Sequence, residues 1–185
     1  MAQSKLIEMK NVRVRETGFE LPPSCMQVFS WLGAIVILVA YILALLTVVP
    51  EADALILTVS ALLLAVYLVS YICMVIYTYR VTASNPTDPT VALERAYQES
   101  PTEVEFNQLE YNYFCDICNT HVLQDTKHCS VCNRCCYNFD HHCVWVGNCI
   151  GGENYVDFIR MLTSVWFVLT AQILALILQF VTIKS

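Results

Sequence analysis

Three long uncharged runs and one dense cysteine–histidine cluster predict an α-helical multi-pass membrane protein. It should have three transmembrane helices plus a cysteine-rich, metal-binding domain built of short knuckles and hairpins. Of the 185 residues, 57 % are hydrophobic and only 14 % are charged, too apolar for an ordinary soluble domain. No charge occurs from Leu21 to Pro50, from Ala54 to Tyr79, or from Met161 to Ile183. Each run exceeds the roughly 20 residues that a helix needs to cross a bilayer. Between Cys115 and Cys149 lie eight of the ten cysteines and all four histidines.

The N-terminal segment, residues 1–27, is polar, mixed in charge and expected to have little order. Glu8, Glu16 and Glu20 interleave with Lys5, Lys10, Arg13 and Arg15, and no short apolar core with a cleavage site marks a secretory signal. Pro22-Pro23 gives a rigid lead-in to the first span. The spans are read as Val28–Val49, Ala54–Tyr77 and Met161–Ile183, the first two forming a tight hairpin over 28–79 through the turn Pro50-Glu51-Ala52-Asp53. That turn has no basic residue, whereas Arg80, Arg95, Lys127, Arg134 and Arg160 lie between the second and third spans. The positive-inside rule therefore puts the N-terminus and the cysteine cluster in the cytosol. Thiols there stay reduced, which favours metal binding or thiol chemistry over disulfides. A net charge of −6 with no basic stripe excludes a nucleic-acid partner.

Residues 80–160 form the cytosolic segment, with the cysteine-rich domain at about 113–158. Ser84 to Pro89 is rich in turn formers. Asp88 is placed to cap a short helix with Pro89 at its first position. Val91, Leu93, Ala96 and Tyr97 give that helix a weak apolar face. An acidic stretch from Glu99 to Glu110 follows, and Phe106 to Phe114 alternates as a strand would.

Cys115-x2-Cys118, Cys129-x2-Cys132 and Cys132-x2-Cys135 have the spacing with which two thiolates grip one tetrahedral zinc. Mixed cysteine and histidine favours zinc over an iron–sulfur centre. His128 and Cys129 point apart in extended backbone, as do His141 and His142, so neighbours serve different metals. The set suits two interleaved Cys3His sites, which leaves four of the twelve groups over. In an extended segment His141 and Cys143 share a face and His142 takes the other. If His142 binds metal, His141 and Cys143 form a cysteine–histidine couple of the kind that makes a nucleophile. Asp140 is the nearest carboxylate to orient the imidazole. The competing reading keeps Cys143 as a further ligand or a plain buried thiol. A zinc hydrolase is disfavoured, because four protein ligands on each zinc leave no place for water.

The run from Cys115 to Cys149, with Asp140-His141-His142-Cys143 at its heart, resembles the DHHC-type protein S-acyltransferases, or palmitoyltransferases. Trp145, Gly147-Asn148-Cys149, Asn154 and Phe158 also fall where that family has them, and Asp88-Pro89-Thr90 resembles its Asp-Pro-Gly element. The resemblance implies two structural zinc ions. Cys115, Cys118, His128 and Cys135 would hold one; Cys129, Cys132, His142 and Cys149 would hold the other. It also makes Cys143 the nucleophile, His141 its base and Asp140 the residue that orients His141. Cys136 and His121 remain surface or packing residues.

The implied activity moves a long-chain acyl group from acyl-CoA (palmitoyl-CoA) to Cys143. From there it passes to a cysteine of a membrane-associated protein at the cytosolic face. Lys127, Arg134, Arg80 and Arg160 are candidates for the CoA phosphates. The bilayer, acyl-CoA and the substrate protein are the expected partners, at an endomembrane (ER or Golgi) in preference to the plasma membrane. The family has four spans and a threonine-threonine-x-glutamate element after the last. Three spans are read here, so the resemblance implies a member truncated before the fourth and a possible partner helix or accessory subunit. Val144 stands where the family often has proline. The alternative is a non-catalytic, zinc-stabilised membrane scaffold or a partner-dependent member. Cys25, beside the first span, is either a lipid acceptor or a cysteine without a role, and Cys73 reads as an apolar residue of the second span.

Overall fold

The computed structural model describes residues 13–48, 52–107 and 110–184. Lys5, Glu8 and Lys10, and the Pro50-Glu51 half of the acidic turn, lie outside the described residues. In chain order the elements are α1 (Cys25–Val48), α2 (Ala54–Ala83) and α3 (Pro89–Glu99). Six strands follow: β1 (Tyr113–Cys115), β2 (Thr120–Val122), β3 (Lys127–Cys129), β4 (Arg134–Cys136), β5 (His141–Cys143) and β6 (Asn148–Ile150). Helix α4 (Tyr155–Lys184) comes last. The chain divides into two compact units: Cys25–Arg80 with Val156–Ser185, and Met1–Ser24 with Val81–Tyr155.

The helical unit holds three helices long and apolar enough to cross a membrane. They run past the predicted spans, because helical hydrogen bonding does not stop where apolar composition does: α2 continues through Arg80, and α4 starts at Tyr155. Asp53 caps α2 by accepting the Ile56 amide at 2.8 Å. Val168, Ala171 and Ala175 form one stripe of α4, whose small alanines allow close approach. They pack with Tyr41, Tyr67 and Met74 in a buried cluster. The Tyr41 and Tyr67 rings stack at 3.7 Å, and Tyr71 donates to the Ala34 carbonyl at 3.0 Å. Leucine, isoleucine, valine and phenylalanine cover the outer faces, as lipid contact requires. Asp157 pairs with Arg80 at 2.8 Å and with Arg160 at 3.1 Å. Two of the four cations expected to meet CoA phosphates thus already neutralise a carboxylate.

The second unit has almost no apolar core. Three antiparallel hairpins, β1–β2, β3–β4 and β5–β6, follow one another along the chain. Each strand has only three residues, too short to be stable alone. Helix α3 braces the first hairpin through Asp88. As expected, Asp88 is the N-cap, with Pro89 at the start of the helix. Its Oδ1 accepts the Thr90 amide at 2.8 Å and the Thr90 hydroxyl at 2.6 Å. Its Oδ2 accepts the Leu123 amide at 2.8 Å and the Thr126 hydroxyl at 2.6 Å. One fully buried carboxylate therefore satisfies four donors from two segments. The expected strand over Phe106–Phe114 is reduced to its last residues, within β1. Phe106 instead stacks on Tyr111 at 5.1 Å and leans on Tyr97 at 5.9 Å, so ring packing takes the place of a ladder.

Asp88→Ala would strand those four donors in a buried position. We expect a loss of about 3 kcal/mol or more in the hairpin unit, with a smaller loss for Asp88→Asn, which keeps one carbonyl. Limited proteolysis and thermal unfolding of the detergent-solubilised chain measure both.

Candidate metal centres and nucleophile

The three hairpins are one motif used three times. Their registers pair Phe114 with His121, His128 with Cys135 and His142 with Cys149 at the central position. Each turn closes on a left-handed residue: Asn119 (φ 54°), Asn133 (φ 51°) and Gly147 (φ 64°). Asparagine tolerates that conformation and glycine adopts it freely. Cys115-x2-Cys118-Asn119, Cys129-x2-Cys132-Asn133 and Cys143-x2-Val146-Gly147 are therefore equivalent knuckles. The sequence reading identified the first two. It missed the third because Val146 occupies the second cysteine's place. The even spacing of Cys115, Cys129 and Cys143, each three residues ahead of a cysteine or valine and four ahead of asparagine or glycine, is the signal that reveals it.

Each ligand set combines the two knuckle cysteines of one hairpin with the central cross-strand pair of the next. Cys115, Cys118, His128 and Cys135 come together, as do Cys129, Cys132, His142 and Cys149, with the ligand atoms of each set within 4.8 Å of one another. The sulfurs of Cys115, Cys118 and Cys135 lie 3.8, 3.4 and 3.9 Å from His128 Nδ1. Those of Cys129, Cys132 and Cys149 lie 3.8, 3.3 and 3.9 Å from His142 Nδ1. A tetrahedral zinc with Zn–S of about 2.3 Å and Zn–N of about 2.0 Å has S···N edges of about 3.5 Å. Both sets have the size and the donor chemistry of such a centre.

Ligand groups crowded this closely compete for protons. Hydrogen bonds with Cys118 and Cys135 drive the Cys115 thiol far down, while bonds with Cys115 and Cys118 drive Cys135 far up. In the second set, bonds with Cys132 and Cys149 push Cys129 down, and bonds with Cys129 and Cys149 push Cys132 up. His128 is pushed up to about 9 by Cys115 and Cys118, and His142 to about 9 by Cys129 and Cys132. A divalent cation resolves the competition by taking three thiolates and a neutral imidazole.

The strand β5 places the remaining groups. His142 turns to the second ligand set, and alternation along the strand puts His141 and Cys143 on the other face. The Asp140 amide donates to the Ile150 carbonyl at 2.9 Å, which fixes the residue just before the strand. Its Oδ2 lies 3.3 Å from His141 Nδ1. Cys143 is 6 % exposed, whereas His141 and Asp140 are half-exposed.

A buried polar network ties the third hairpin down. Asn148, the cross-strand partner of Cys143, donates to the Val81 carbonyl at 2.8 Å and the Ser84 carbonyl at 2.9 Å. These are among the carbonyls that the end of α2 leaves unpaired. Arg134 occupies the equivalent place one hairpin earlier and donates to Asn148 Oδ1, to Asn85 Oδ1 at 3.1 Å and to the Glu16 carbonyl. Arg134 is therefore not available to CoA phosphates: it is 2 % exposed and its guanidinium is spent on internal acceptors. Asn154 donates to the Cys149 carbonyl at 2.9 Å and the Ser84 hydroxyl at 2.7 Å. The structural part played by Asn148 and Arg134 was not read from sequence, since only tertiary folding brings them to the end of α2. Of the two unassigned groups, Cys136 is fully buried against Cys129, Cys132 and Cys149. His121 pairs with the buried Glu94 carboxylate at 3.0 Å. Lys127 is exposed.

Metal uptake must displace protons from both histidines. Without metal, their raised pKa contributes stability that is complete below the ordinary 6.5 and lost as pH rises through about 9. Metal binding has the opposite slope. We expect its apparent affinity to fall at least about tenfold per pH unit below neutrality, with proton release on binding. Calorimetric zinc titration in buffers of different ionisation enthalpy measures both.

Comparison with known proteins matches the same segment. The family model described as DHHC palmitoyltransferase matches residues 108–185. The chain is 37 % identical to the Rattus norvegicus protein named palmitoyltransferase ZDHHC17 over 94 residues, 49 % of this chain and 15 % of that protein. It is 38 % identical to the Arabidopsis thaliana probable protein S-acyltransferase 20 over 78 residues, 41 % of this chain and 11 % of that one. The human palmitoyltransferase ZDHHC18 is 43 % identical over 72 residues, 39 % of this chain and 18 % of that protein. The matches thus span less than a fifth of these relatives' own length. Residues 108–185 are a DHHC palmitoyltransferase domain, and by that domain the chain belongs to the DHHC family.

Proposed function

We propose that the chain is a protein S-acyltransferase that carries a long-chain acyl group on Cys143. One observation carries this reading. Cys143 occupies the first-ligand place of a knuckle whose second place is Val146, and no fourth hairpin follows among the described residues to complete a metal site. The residue that the motif elsewhere commits to metal is here left as a thiol beside an imidazole. The names of the relatives support the same chemistry.

Asp140 at His141 Nδ1 holds the proton there, which makes Nε2 the nitrogen that exchanges protons with Cys143. In the first step Nε2 takes the Cys143 proton and the thiolate attacks the thioester carbonyl of acyl-CoA. The bond from the acyl carbon to the CoA sulfur breaks, and the CoA thiolate recovers the proton from Nε2. In the second step a cysteine of the substrate protein gives its proton to Nε2 and attacks acyl-Cys143. The acyl group moves to that cysteine, and Cys143 is reprotonated. Palmitoyl-CoA is the donor we favour, and a protein with a cytosolic cysteine near an endomembrane is the acceptor. The two ligand sets hold zinc ions that stiffen the hairpins and take no part in bond making. Lys127, exposed at the start of β3, remains the hairpin-unit cation for a CoA phosphate.

Incubation with labelled palmitoyl-CoA should give a hydroxylamine-labile adduct on the wild-type chain. Cys143→Ala should lose the label entirely, and His141→Ala should slow its formation by about 10²–10³-fold. Equal labelling of Cys143→Ala sinks the enzyme reading. Metal analysis should find about two zinc ions per chain. Cys118→Ser should lower that toward one while sparing the second set. Cys132→Ser, which removes a ligand from the middle hairpin, should loosen both.

A further inference from the structure

The segment ahead of α1 is not a loose tail. From Arg15 to Ser24 it lies along the knuckles of its own unit. The Arg15 amide donates to the Cys132 carbonyl at 2.9 Å, and the Gly18 amide donates to the Thr82 carbonyl at 2.7 Å. A Cβ on Gly18 would sit 2.2 Å from the Val146 carbonyl oxygen, so the strap touches the third knuckle there. The Ser24 hydroxyl then donates to the Val144 carbonyl at 2.6 Å. The strap thus meets the third knuckle at both of its ends, Gly18 on Val146 and Ser24 on Val144. Between them, the Arg15 guanidinium holds the chain in a bend through the Glu20 carbonyl at 2.7 Å and the Pro22 carbonyl at 3.0 Å.

This arrangement collects large apolar side chains on the surface. Phe19 is 45 % exposed, Leu21 75 %, Val144 44 % and Trp145 52 %. All four lie on the strap or at the tip of the knuckle that begins with Cys143. Ser24, whose hydroxyl grips Val144, is followed directly by Cys25, the first residue of membrane-spanning α1. From Leu21 to Cys25 an extended chain spans at most about 14 Å, so the patch cannot lie far from where α1 enters the bilayer. An aromatic and aliphatic cluster on so short a tether suits the headgroup layer, where tryptophan is favoured.

We propose that Phe19, Leu21, Val144 and Trp145 form a membrane-seated foot that the strap holds beside Cys143, with the lipid bilayer as its partner. The foot rests on the acyltransferase reading only for its purpose, which is to keep the Cys143 thiol at the level where an acyl chain leaves the hydrocarbon. Its placement is independent of activity.

The test uses the full chain in lipid nanodiscs. Trp31→Phe and Trp166→Phe leave Trp145 as the only tryptophan, and Cys143→Ser removes any acylation. We expect lipid brominated near the top of its acyl chains to remove about half of the Trp145 emission, and aqueous iodide to quench it weakly. Adding Phe19→Glu and Leu21→Glu should reverse the two sensitivities while the metal content stays unchanged. Iodide quenching of the parent overturns the proposal. So does a Trp145 shielded from iodide yet blind to brominated lipid, which would mark a protein contact. Unchanged lipid quenching in the glutamate variant removes the strap from the foot. Labelling by acyl-CoA is measured separately, so failure of the foot and failure of the acyltransferase reading are told apart.

Discussion

Everything in the hairpin unit depends on the interleaving of its two ligand sets. Neither set is local: each takes two cysteines from one knuckle and a histidine–cysteine pair from the next hairpin. The middle hairpin serves both, facing one way with His128 and Cys135 and the other with Cys129 and Cys132. Three-residue strands have too little ladder and too little apolar surface to stand alone. Shared ligands supply the missing cross-links, because a metal that joins consecutive hairpins fixes their order and angle at once. The unit is held by coordination geometry where a larger domain would use a core.

That scheme must end somewhere, and the way it ends is chemically informative. The last hairpin gives its central pair, His142 and Cys149, to the set behind it. Its own knuckle begins with Cys143 but has Val146 in the second place, so it forms no ligand pair. A thiol is thereby held in backbone geometry made for a metal ligand, with its neighbour His142 anchored and His141 turned to the opposite face. Around it, hydrogen bonding does the remaining positioning. Asn148 pairs across the ladder with Cys143 and caps the end of α2, and the buried Arg134 fixes Asn148 in turn. A charge as well buried as Arg134 persists because its fork meets three internal acceptors. That is also why the sequence-based expectation of a phosphate contact there fails.

The structure gives physical meaning to several residues that composition could only flag. Asp88 was visible as a cap, but its second oxygen binds Leu123 and Thr126, residues far along the chain. Glu94 and His121 looked unremarkable apart, and they form a shielded ion-pair geometry between α3 and β2. Phe106 alternated with polar neighbours as a strand residue does, yet it serves in a stack of rings. Short alternations carry little information where no sheet exists to receive them.

The sequence by itself determined the three membrane-crossing helices, because bilayer thickness sets a length that only long uncharged runs can meet. It also determined that the cysteine cluster holds two mixed ligand sets, since spacing and adjacency along a chain constrain which residues can point together. The tertiary structure alone decided that the three hairpins are equivalent, that Arg134 is buried, and that the segment before α1 lies along the knuckle of Cys143. These depend on which distant backbone groups meet. Asn148 reaches the end of α2, and Ser24 reaches Val144, across more than sixty and more than one hundred residues of chain respectively. No local pattern in the sequence encodes such distances. They are set by the metal-linked geometry of the hairpins.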